Sequence, residues 1–314
     1  MYPSDEPLPL ASNLNFVTNQ TVPNLVTVKV GADGKVKLRN NSGTTHVIFD
    51  IVGWYGTPTL GSRYNPLTPA RILDTRIGTG APAAPIGAGA TITVDVTNTY
   101  SSGVPASGVT AVIVNVTVTG PTAASHLTVY PSGAGLPLAS NLNFVTGQTV
   151  PNLVAVKVGA DGNVNVRNNS GSTHVIFDVV GWYEAASGDV LNPLAPVRIL
   201  DTRFGPQGAP PGPVGASTSI TVDVTGAGGV PVSGATAVIV NTTVTGPTAP
   251  SHLTVYPSGA GVPNASNLNF VTGQTVPNLV VVKVGGDGNV KVFNNSGTTH
   301  VIFDVVGYFA PPPP

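Results

Sequence analysis

The sequence predicts an all-β protein made of tandem antiparallel β-sandwich or barrel-like repeats, with almost no helix. Helix-forming residues are scarce, because Glu occurs only at positions 6 and 184 and Met only at position 1, whereas Val and Thr are abundant. Short runs with β-type alternation are separated by Gly and Pro, which together make up more than a fifth of the 314 residues. The chain also repeats itself, which indicates an array of similar units.

Two kinds of half-repeat alternate along the chain. The B half-repeat begins with Ala-Ser-Asn-Leu-Asn-Phe-Val-Thr in all three copies and covers roughly 11–56, 139–184 and 265–310. The A half-repeat is anchored on Arg-Ile-Leu-Asp-Thr-Arg and covers roughly 64–133 and 191–259. The order is therefore B-A-B-A-B, which gives two complete repeats preceded by a lone B half-repeat.

This order predicts the domain organisation. Met1-Tyr2-Pro3-Ser4 matches the end of an A half-repeat at residues 129–132, so the start of the sequence resembles a cut inside a longer array. The final prolines are typical of a stiff linker. We expect an orphan half-repeat at 1–58, full β repeats at 59–186 and 187–310, and a proline-rich tail at 311–314.

Hydrophobic patterns predict where individual strands lie. Residues 153–158 and 164–167 flank a short Asp-Gly turn, which predicts a β-hairpin. Residues 173–181 are apolar at both parities except at His174 and Asp178, as expected of a central strand that is covered on both faces. In the A half-repeat, one parity of a long strand is all Val from residue 112 to 118, so one of its faces should be buried.

Three arrangements of the half-repeats stay open. Each A-plus-B pair could form one sandwich or barrel, and A and B could be related sheets that pack face to face. Five similar half-units could also close as the blades of a small propeller. The propeller is disfavoured, because closing an alternating B-A-B-A-B series would make two B half-repeats neighbours.

Composition excludes several classes of function. Only 9% of the residues are charged, against roughly 25% in ordinary globular proteins, and the net charge of −1 gives no basis for nucleic-acid binding. No apolar run approaches the roughly 20 residues that span a bilayer. The chain has no Cys, which excludes disulfides and thiolate sites, and its Thr, Asn, Gly and Pro content favours an extracellular or cell-surface location.

The element Arg-x-x-Asp-x-Arg concentrates the scarce charges. Strand alternation places Asp74 and Arg76 on one face, where they would form an ion pair, and leaves Arg71 on the other face. The favoured interpretation is a structural latch, and the alternative is an Arg that binds a carboxylate or a sugar. The second copy of this element consists of Arg198, Asp201 and Arg203.

Other polar residues offer little chemistry. The five His residues lack the spacing of a zinc site. Asp50, Asp178 and Asp304 lie in the apolar B strand, and burial there would require a partner such as an Arg of the A half-repeat or a set of backbone N–H groups. We predict no cofactor and no metal. Calcium is the disfavoured alternative, because segments such as 168–171 offer oxygen ligands but no complete calcium loop is present. Catalysis by three equivalent copies is disfavoured, so we predict that the protein is not an enzyme.

Aromatic pairs close each B half-repeat. Exposed pairs would form platforms that stack against pyranose rings, whereas buried pairs would plug the end of a sandwich, and burial is the favoured interpretation. The candidate ligand-binding residues are Trp54, Tyr55, Trp182, Tyr183 and Tyr308.

Several motifs together resemble a known repeat. They are Ala-Arg-Ile-Leu-Asp-Thr-Arg, the segment at 103–117, Leu-Thr-Val-Tyr-Pro at 127–131, Ser-Asn-Leu-Asn-Phe at 140–144 and the closing Val-Ile-Phe-Asp-Val-Val-Gly-Trp-Tyr. This combination resembles a repeat of secreted and surface proteins of actinobacteria, often joined to cell-wall amidases or glycan-acting enzymes. The resemblance implies an accessory role without chemistry of its own.

The leading functional hypothesis is a non-enzymatic extracellular array that serves as a structural, adhesion or assembly module at the cell surface. The orphan half-repeat would expose sheet edges, which predicts self-association. The alternative is a carbohydrate-binding module that recognises cell-wall or other extracellular polysaccharide and accompanies a secreted hydrolase.

Overall fold

The chain is all-β, as the sequence predicts. A computed structural model describes residues 1–56, 61–97, 102–205 and 211–313, which contain 18 strands and no helix. The predicted boundary between residues 58 and 59, and the last residue of the predicted tail, lie outside the described residues. Two complete sandwich units follow one another, and a first half-repeat of very different structure precedes them.

The first complete unit packs two four-stranded antiparallel sheets against each other. The inner sheet has the strand order β3-β10-β5-β8, and the outer sheet has the order β4-β9-β6-β7. The strands are β3 (Arg63–Asp74), β4 (Thr91–Asp95), β5 (Val109–Thr119), β6 (Ser125–Pro131), β7 (Leu142–Phe144), β8 (Val150–Lys157), β9 (Asn163–Asn168) and β10 (His174–Glu184).

The second complete unit has the same topology. Its inner sheet has the order β11-β18-β13-β16 and its outer sheet the order β12-β17-β14-β15. The strands are β11 (Val190–Asp201), β12 (Thr218–Asp223), β13 (Ala237–Thr245), β14 (Ser251–Pro257), β15 (Leu268–Phe270), β16 (Val276–Lys283), β17 (Asn289–Asn294) and β18 (His300–Ala310).

Strands of the A and B half-repeats alternate within every four-stranded sheet. In the inner sheet, β10 of the B half-repeat lies between β3 and β5 of the A half-repeat, and β8 of the B half-repeat pairs only with β5. The hypothesis of an A sheet packed on a B sheet is therefore wrong. Because the two halves share every ladder, a B half-repeat depends on an A half-repeat for the backbone hydrogen bonds of its strands.

The predicted Asp-Gly hairpin is wrong, because the turn connects two different sheets. Strand β8 belongs to the inner sheet and β9 to the outer sheet, although the turn between them is tight, with a 3.0 Å hydrogen bond from the N–H of Gly162 to the carbonyl of Gly159. The burial patterns of the two strands explain the difference. Five of the eight residues of β8 are buried and they fall at both parities, whereas β9 alternates between buried and half-buried residues.

The inner sheets are covered on both faces, which confirms that the last B strand is central. One face packs into the sandwich core of its own unit, where Val114, Val116 and Phe177 are buried. The other face packs against the neighbouring unit through a third apolar cluster that includes Ile113, Leu153, Ile239 and Leu279. The two sandwiches and the first half-repeat are thereby joined around a common centre.

Within the described residues 1–56, the first half-repeat contains one short ladder. Strands β1 (Tyr2–Pro3) and β2 (Val36–Lys37) pair in the register that β6 and β9 use in the complete unit. Residues 46–56, which correspond to β10, form no strand, and every one of them is exposed. We refer to residues 46–56 as the unpaired segment.

Candidate functional site

Arg71 and Asp178 form the centre of the latch. They are cross-strand partners on β3 and β10, so their side chains meet directly. The Nε atom of Arg71 donates to Oδ1 of Asp178 at 2.9 Å, and Nη2 donates to Oδ2 at 3.2 Å. This bidentate pair holds an A strand to the central B strand.

Asp74, the last residue of β3, belongs to the same network. Arg76 forms a bidentate pair with Asp74, at 2.9 Å between Nε and Oδ1 and 2.7 Å between Nη2 and Oδ2. Nη1 of Arg71 lies 3.4 Å from Oδ2 of Asp74. Burial raises the pKa of Asp74, but the hydrogen bonds and charge of Arg76, with the charge of Arg71, outweigh it and lower the pKa overall.

Asp178 also connects the first unit to the second. Its Oδ2 atom accepts a hydrogen bond of 3.0 Å from the backbone N–H of Ser266, a residue of the neighbouring unit. The carboxylate is almost fully buried, and burial raises its pKa although Arg71 and the Ser266 N–H act in the opposite direction. The carboxylate at the centre of the latch therefore lies in the interface between units, where it is shielded from solvent.

The second latch repeats this geometry and contacts the first half-repeat. Arg198 forms the bidentate pair with Asp304, at 2.9 and 3.2 Å. Arg203 pairs with Asp201 in the same way as Arg76 with Asp74. The backbone N–H of Ser12 donates to Oδ2 of Asp304 at 3.4 Å, in the position that Ser266 occupies beside Asp178.

The third copy of the acidic position has no latch. Asp50 corresponds to Asp178 and Asp304, yet it lies exposed in the unpaired segment and forms no ion pair with any described residue. Ser140 corresponds to Ser12 and Ser266, and neither its N–H nor its carbonyl has a hydrogen-bond partner within the described ranges. At this interface, within the described part of the chain, Asp50 and Ser140 of the B half-repeats therefore lack the Arg and Asn of an A half-repeat that contact their counterparts at the other two interfaces.

Three equivalent Asn residues close a ring between the units. The N–H of Leu25 donates to Oδ1 of Asn152 at 3.2 Å, and the N–H of Leu153 donates to Oδ1 of Asn278 at 3.2 Å. The N–H of Leu279 donates to Oδ1 of Asn24 at 3.0 Å, which completes the circle. The three B half-repeats are thus related by an approximate threefold axis.

A second set of Asn contacts runs from A strands to the next unit. Nδ2 of Asn115 donates to the carbonyl of Ser266 at 2.5 Å, and Oδ1 of Asn115 accepts from Nδ2 of Asn278 at 2.9 Å. Asn241 donates equivalently to the carbonyl of Ser12 and accepts from Asn24 at 3.1 Å. Each A half-repeat therefore braces two B half-repeats, its own and the next one around the axis.

The closing aromatics meet near this axis. The hydroxyl groups of Tyr55 and Tyr183 lie 2.6 Å apart, and the ring of Tyr55 is 6.3 Å from that of Phe309. Burial raises the pKa of Tyr183 well above its ordinary value, and the neighbouring Tyr55 raises it further. These residues hold units together, which differs from the geometry of an open sugar platform.

The remaining candidate aromatics differ in exposure according to their unit. Trp182 and Tyr308 pack against the sandwich cores of the two complete units. Trp54, their counterpart in the first half-repeat, is 74% exposed. Its exposure follows from the lack of an A half-repeat that would supply a core beneath it.

The His residues at the start of β10 and β18 are structural. Nδ1 of His174 lies 3.1 Å from the hydroxyl of Thr75, and His300 has the same relation to Thr202. The part of the chain that the structure describes holds no group of three His, Asp or Glu residues arranged for a metal ion.

Sequence reasoning did not identify the Asn ring or the role of Ser12 and Ser266. The only sequence signal of these residues was that they recur at equivalent positions. Many Thr and Gly residues also recur in this way, so recurrence did not distinguish the Asn and Ser residues. The contacts join residues more than 120 positions apart, so no local pattern could reveal them.

Comparisons with known proteins identify no family for this chain. No protein-family model and no curated protein matches it. One solved structure with some similarity is the tandem domain CBM22-1-CBM22-2 from Paenibacillus barcinonensis Xyn10C. The identity is 11%, the match covers 78% of this chain and 98% of that one, and the TM-score is 0.23. Among the described residues, no helix is long and apolar enough to cross a membrane.

Proposed function

We propose that the protein is a non-enzymatic structural and assembly module of an extracellular or cell surface, which associates through its first half-repeat. One observation carries this proposal. The unpaired segment corresponds to a strand that is buried between two neighbours in both complete units, yet here it exposes Ile48, Phe49 and Ile51 by 86%, 59% and 90%. An exposed apolar segment with free backbone groups is a surface for strand pairing.

The arrangement of charge supports a structural role. The buried carboxylates Asp74, Asp178 and Asp304 are each paired with Arg residues of the same array. Both complete units repeat these pairs with nearly the same distances. A surface poor in charge and rich in Thr, Asn and Ser, together with the sequence resemblance to secreted repeats, supports the proposed location.

Sedimentation velocity over a wide range of protein concentration tests the proposal. We expect the sedimentation coefficient to rise with concentration, because apolar unpaired segments of different chains associate. Substituting Ile51→Lys should suppress that rise by placing a charge in the contact. Val232→Lys is the matched control, since Val232 is 81% exposed but lies outside the first half-repeat. A wild-type chain that stays monomeric at every concentration would refute self-association.

Carbohydrate binding is the second candidate, and the exposure of Trp54 favours it. An exposed indole beside Tyr55 could stack against a sugar ring. Pull-down on peptidoglycan and chitin, with Trp54→Ala compared with Trp182→Ala, tests this function. Loss of binding in Trp54→Ala alone would support it, and unchanged retention of both variants would exclude Trp54 as a sugar platform.

A further inference from the structure

We propose that the first half-repeat is the acceptor site for an A-type half-repeat that residues 1–314 do not supply, which completes a third sandwich around the threefold axis. This inference rests on the proposed function and specifies the partner. The two complete units serve as templates, because they show what an A half-repeat contributes to a B half-repeat in this array.

The first requirement on the partner is strand geometry. In the complete units, each counterpart of the unpaired segment lies between two A strands. Strand β10 lies between β3 and β5, and strand β18 lies between β11 and β13. The partner must therefore supply two antiparallel strands that enclose residues 46–56. One such strand alone would leave half of the backbone groups without partners.

The second requirement is charge. Asp50 occupies the position at which Asp178 and Asp304 each receive a bidentate Arg. Enclosing residues 46–56 between strands would bury Asp50, and a buried carboxylate requires a cation and hydrogen bonds. A strand that carries Arg-x-x-Asp-x-Arg meets this need, because the first Arg reaches the B carboxylate and the second neutralises the Asp of its own strand.

The third requirement comes from the neighbouring unit. Asn115 and Asn241 each donate from an A strand to the carbonyl of a Ser in the next unit. The corresponding Ser140 is a residue of the first complete unit. By analogy with the hydrogen bond from Ser266 to Asp178, its backbone N–H would donate to the carboxylate of Asp50. The partner would thus contact the first half-repeat and the first complete unit at once.

Stoichiometry decides against a second copy of residues 1–314 as the partner. The sequence holds three B half-repeats and two A half-repeats, and both A half-repeats are already paired. Exchanging halves between copies leaves one B half-repeat per chain without an A half-repeat. Self-association through exposed apolar groups is then a weaker alternative that an A-type partner should displace.

Co-expression tests the proposal in trans. The full chain is tagged and expressed together with a polypeptide that copies residues 61–128, since Tyr2–Pro3 already occupies the position of Tyr130 and Pro131. Native mass spectrometry reads the stoichiometry of the purified complex. We expect a 1:1 complex and loss of the concentration-dependent association. Asp50→Asn should weaken retention of the A-type polypeptide by about tenfold or more, because a hydrogen bond to a charged group is lost. Asp223→Asn, at an exposed carboxylate outside this site, should retain it.

A fusion keeps the proposal falsifiable if the A-type polypeptide does not fold alone. A copy of residues 61–128 is placed before Met1, so that the added copy continues in the register of the A half-repeat. We expect residues 46–56 to become protected from hydrogen exchange. Their continued rapid exchange in the fusion, with no complex in trans, would overturn the inference. Self-association that persists in that case would leave the proposed function standing. An unmodified chain that stays monomeric yet retains the A-type polypeptide would refute self-association and support the inference.

Discussion

Asp74 and Asp178 share the guanidinium of Arg71 but lie in different surroundings. Asp74 receives a second Arg, whose side chain is 45% exposed, whereas Asp178 receives only Arg71 and a backbone N–H in the interface between units. The same residue type thus obtains opposite pKa shifts from position alone. The sequence predicted the Asp74–Arg76 pair, but Arg76 lies in the turn after β3, so strand alternation is not its cause. The prediction that Arg71 lies on the other face is wrong, because the β3–β10 register shifts beside Arg71, which lies 3.4 Å from Asp74. Burial of the B strand predicted that Asp178 needs a partner such as an Arg or backbone N–H groups.

Removing Arg71 should be more damaging than removing Arg76. Arg71→Met leaves the buried Asp178 without its cation, and we expect a loss of about 3 kcal/mol in the free energy of unfolding. Arg76→Met removes a half-exposed partner while Arg71 stays near Asp74, so its cost should be smaller. Chemical denaturation of the two variants measures the difference, and equal losses would contradict the assigned roles.

The pKa values of the Asp74 and Asp178 carboxyl groups are shifted in opposite directions from the ordinary value of Asp. The pKa of Asp74 is lowered in the folded state, so its contribution to stability is present above the unfolded pKa and is lost as the pH falls through the folded one. The pKa of Asp178 is raised, so its charge disfavours folding as the pH rises through the folded value. Carboxyl NMR titration should find Asp178 titrating at the higher pH, and the reverse order would contradict the account.

At the scale of elements, sequence patterns predicted strands better than their partners. The continuous apolar run predicted the central position of β10, because a strand covered on both faces needs apolar residues at both parities. The Asp-Gly turn predicted a hairpin, yet the same turn leads from the inner sheet to the outer one. The contrast between the burial patterns of β8 and β9 was readable in their sequences, but turn chemistry constrains only the turn and not the sheet that follows.

Gly181 in β10 illustrates how a complete unit constrains its central strand. A Cβ atom there would lie 2.3 Å from the hydroxyl oxygen of Tyr64, which is fully buried and donates to the carbonyl of Val180. We expect Gly181→Ala to lower the free energy of unfolding by about 1–3 kcal/mol through overpacking.

Gly53 provides the matched control for that substitution. It is the counterpart of Gly181 in the unpaired segment, and nothing lies within 4 Å of a Cβ built there. Gly53→Ala should therefore leave the thermal unfolding midpoint nearly unchanged. A large loss of stability in Gly53→Ala would indicate that the unpaired segment is already packed against a neighbour.

At the scale of the whole molecule, the units are held by a ring that local sequence could not predict. Asn24, Asn152 and Asn278 are separated by whole repeats, and their contacts depend on how finished sandwiches pack. The repeat itself predicted three equivalent B half-repeats, and the fold class followed from composition and alternation. The threefold arrangement required knowledge of which inner-sheet faces meet.

The Asn ring makes a prediction about coupling between units. Asn278→Ala removes the acceptor of the buried Leu153 N–H, and we expect a loss of about 1–3 kcal/mol. Calorimetry should show a lower unfolding midpoint than in the wild-type chain. Asn169→Ala, at an exposed Asn outside the ring, should behave as wild type. Identical unfolding of both variants would show that the ring does not stabilise the assembly of units.

Hydrogen exchange of the dilute, monomeric chain tests the central claim most directly. The claim is that residues 46–56 form an incomplete place in a threefold array whose other two places are filled by β10 and β18. We predict near-unprotected exchange in residues 46–56 and strong protection at the backbone N–H groups of both counterparts. Equal protection of all three segments in the monomer would contradict the claim, because residues 46–56 would then already have strand partners.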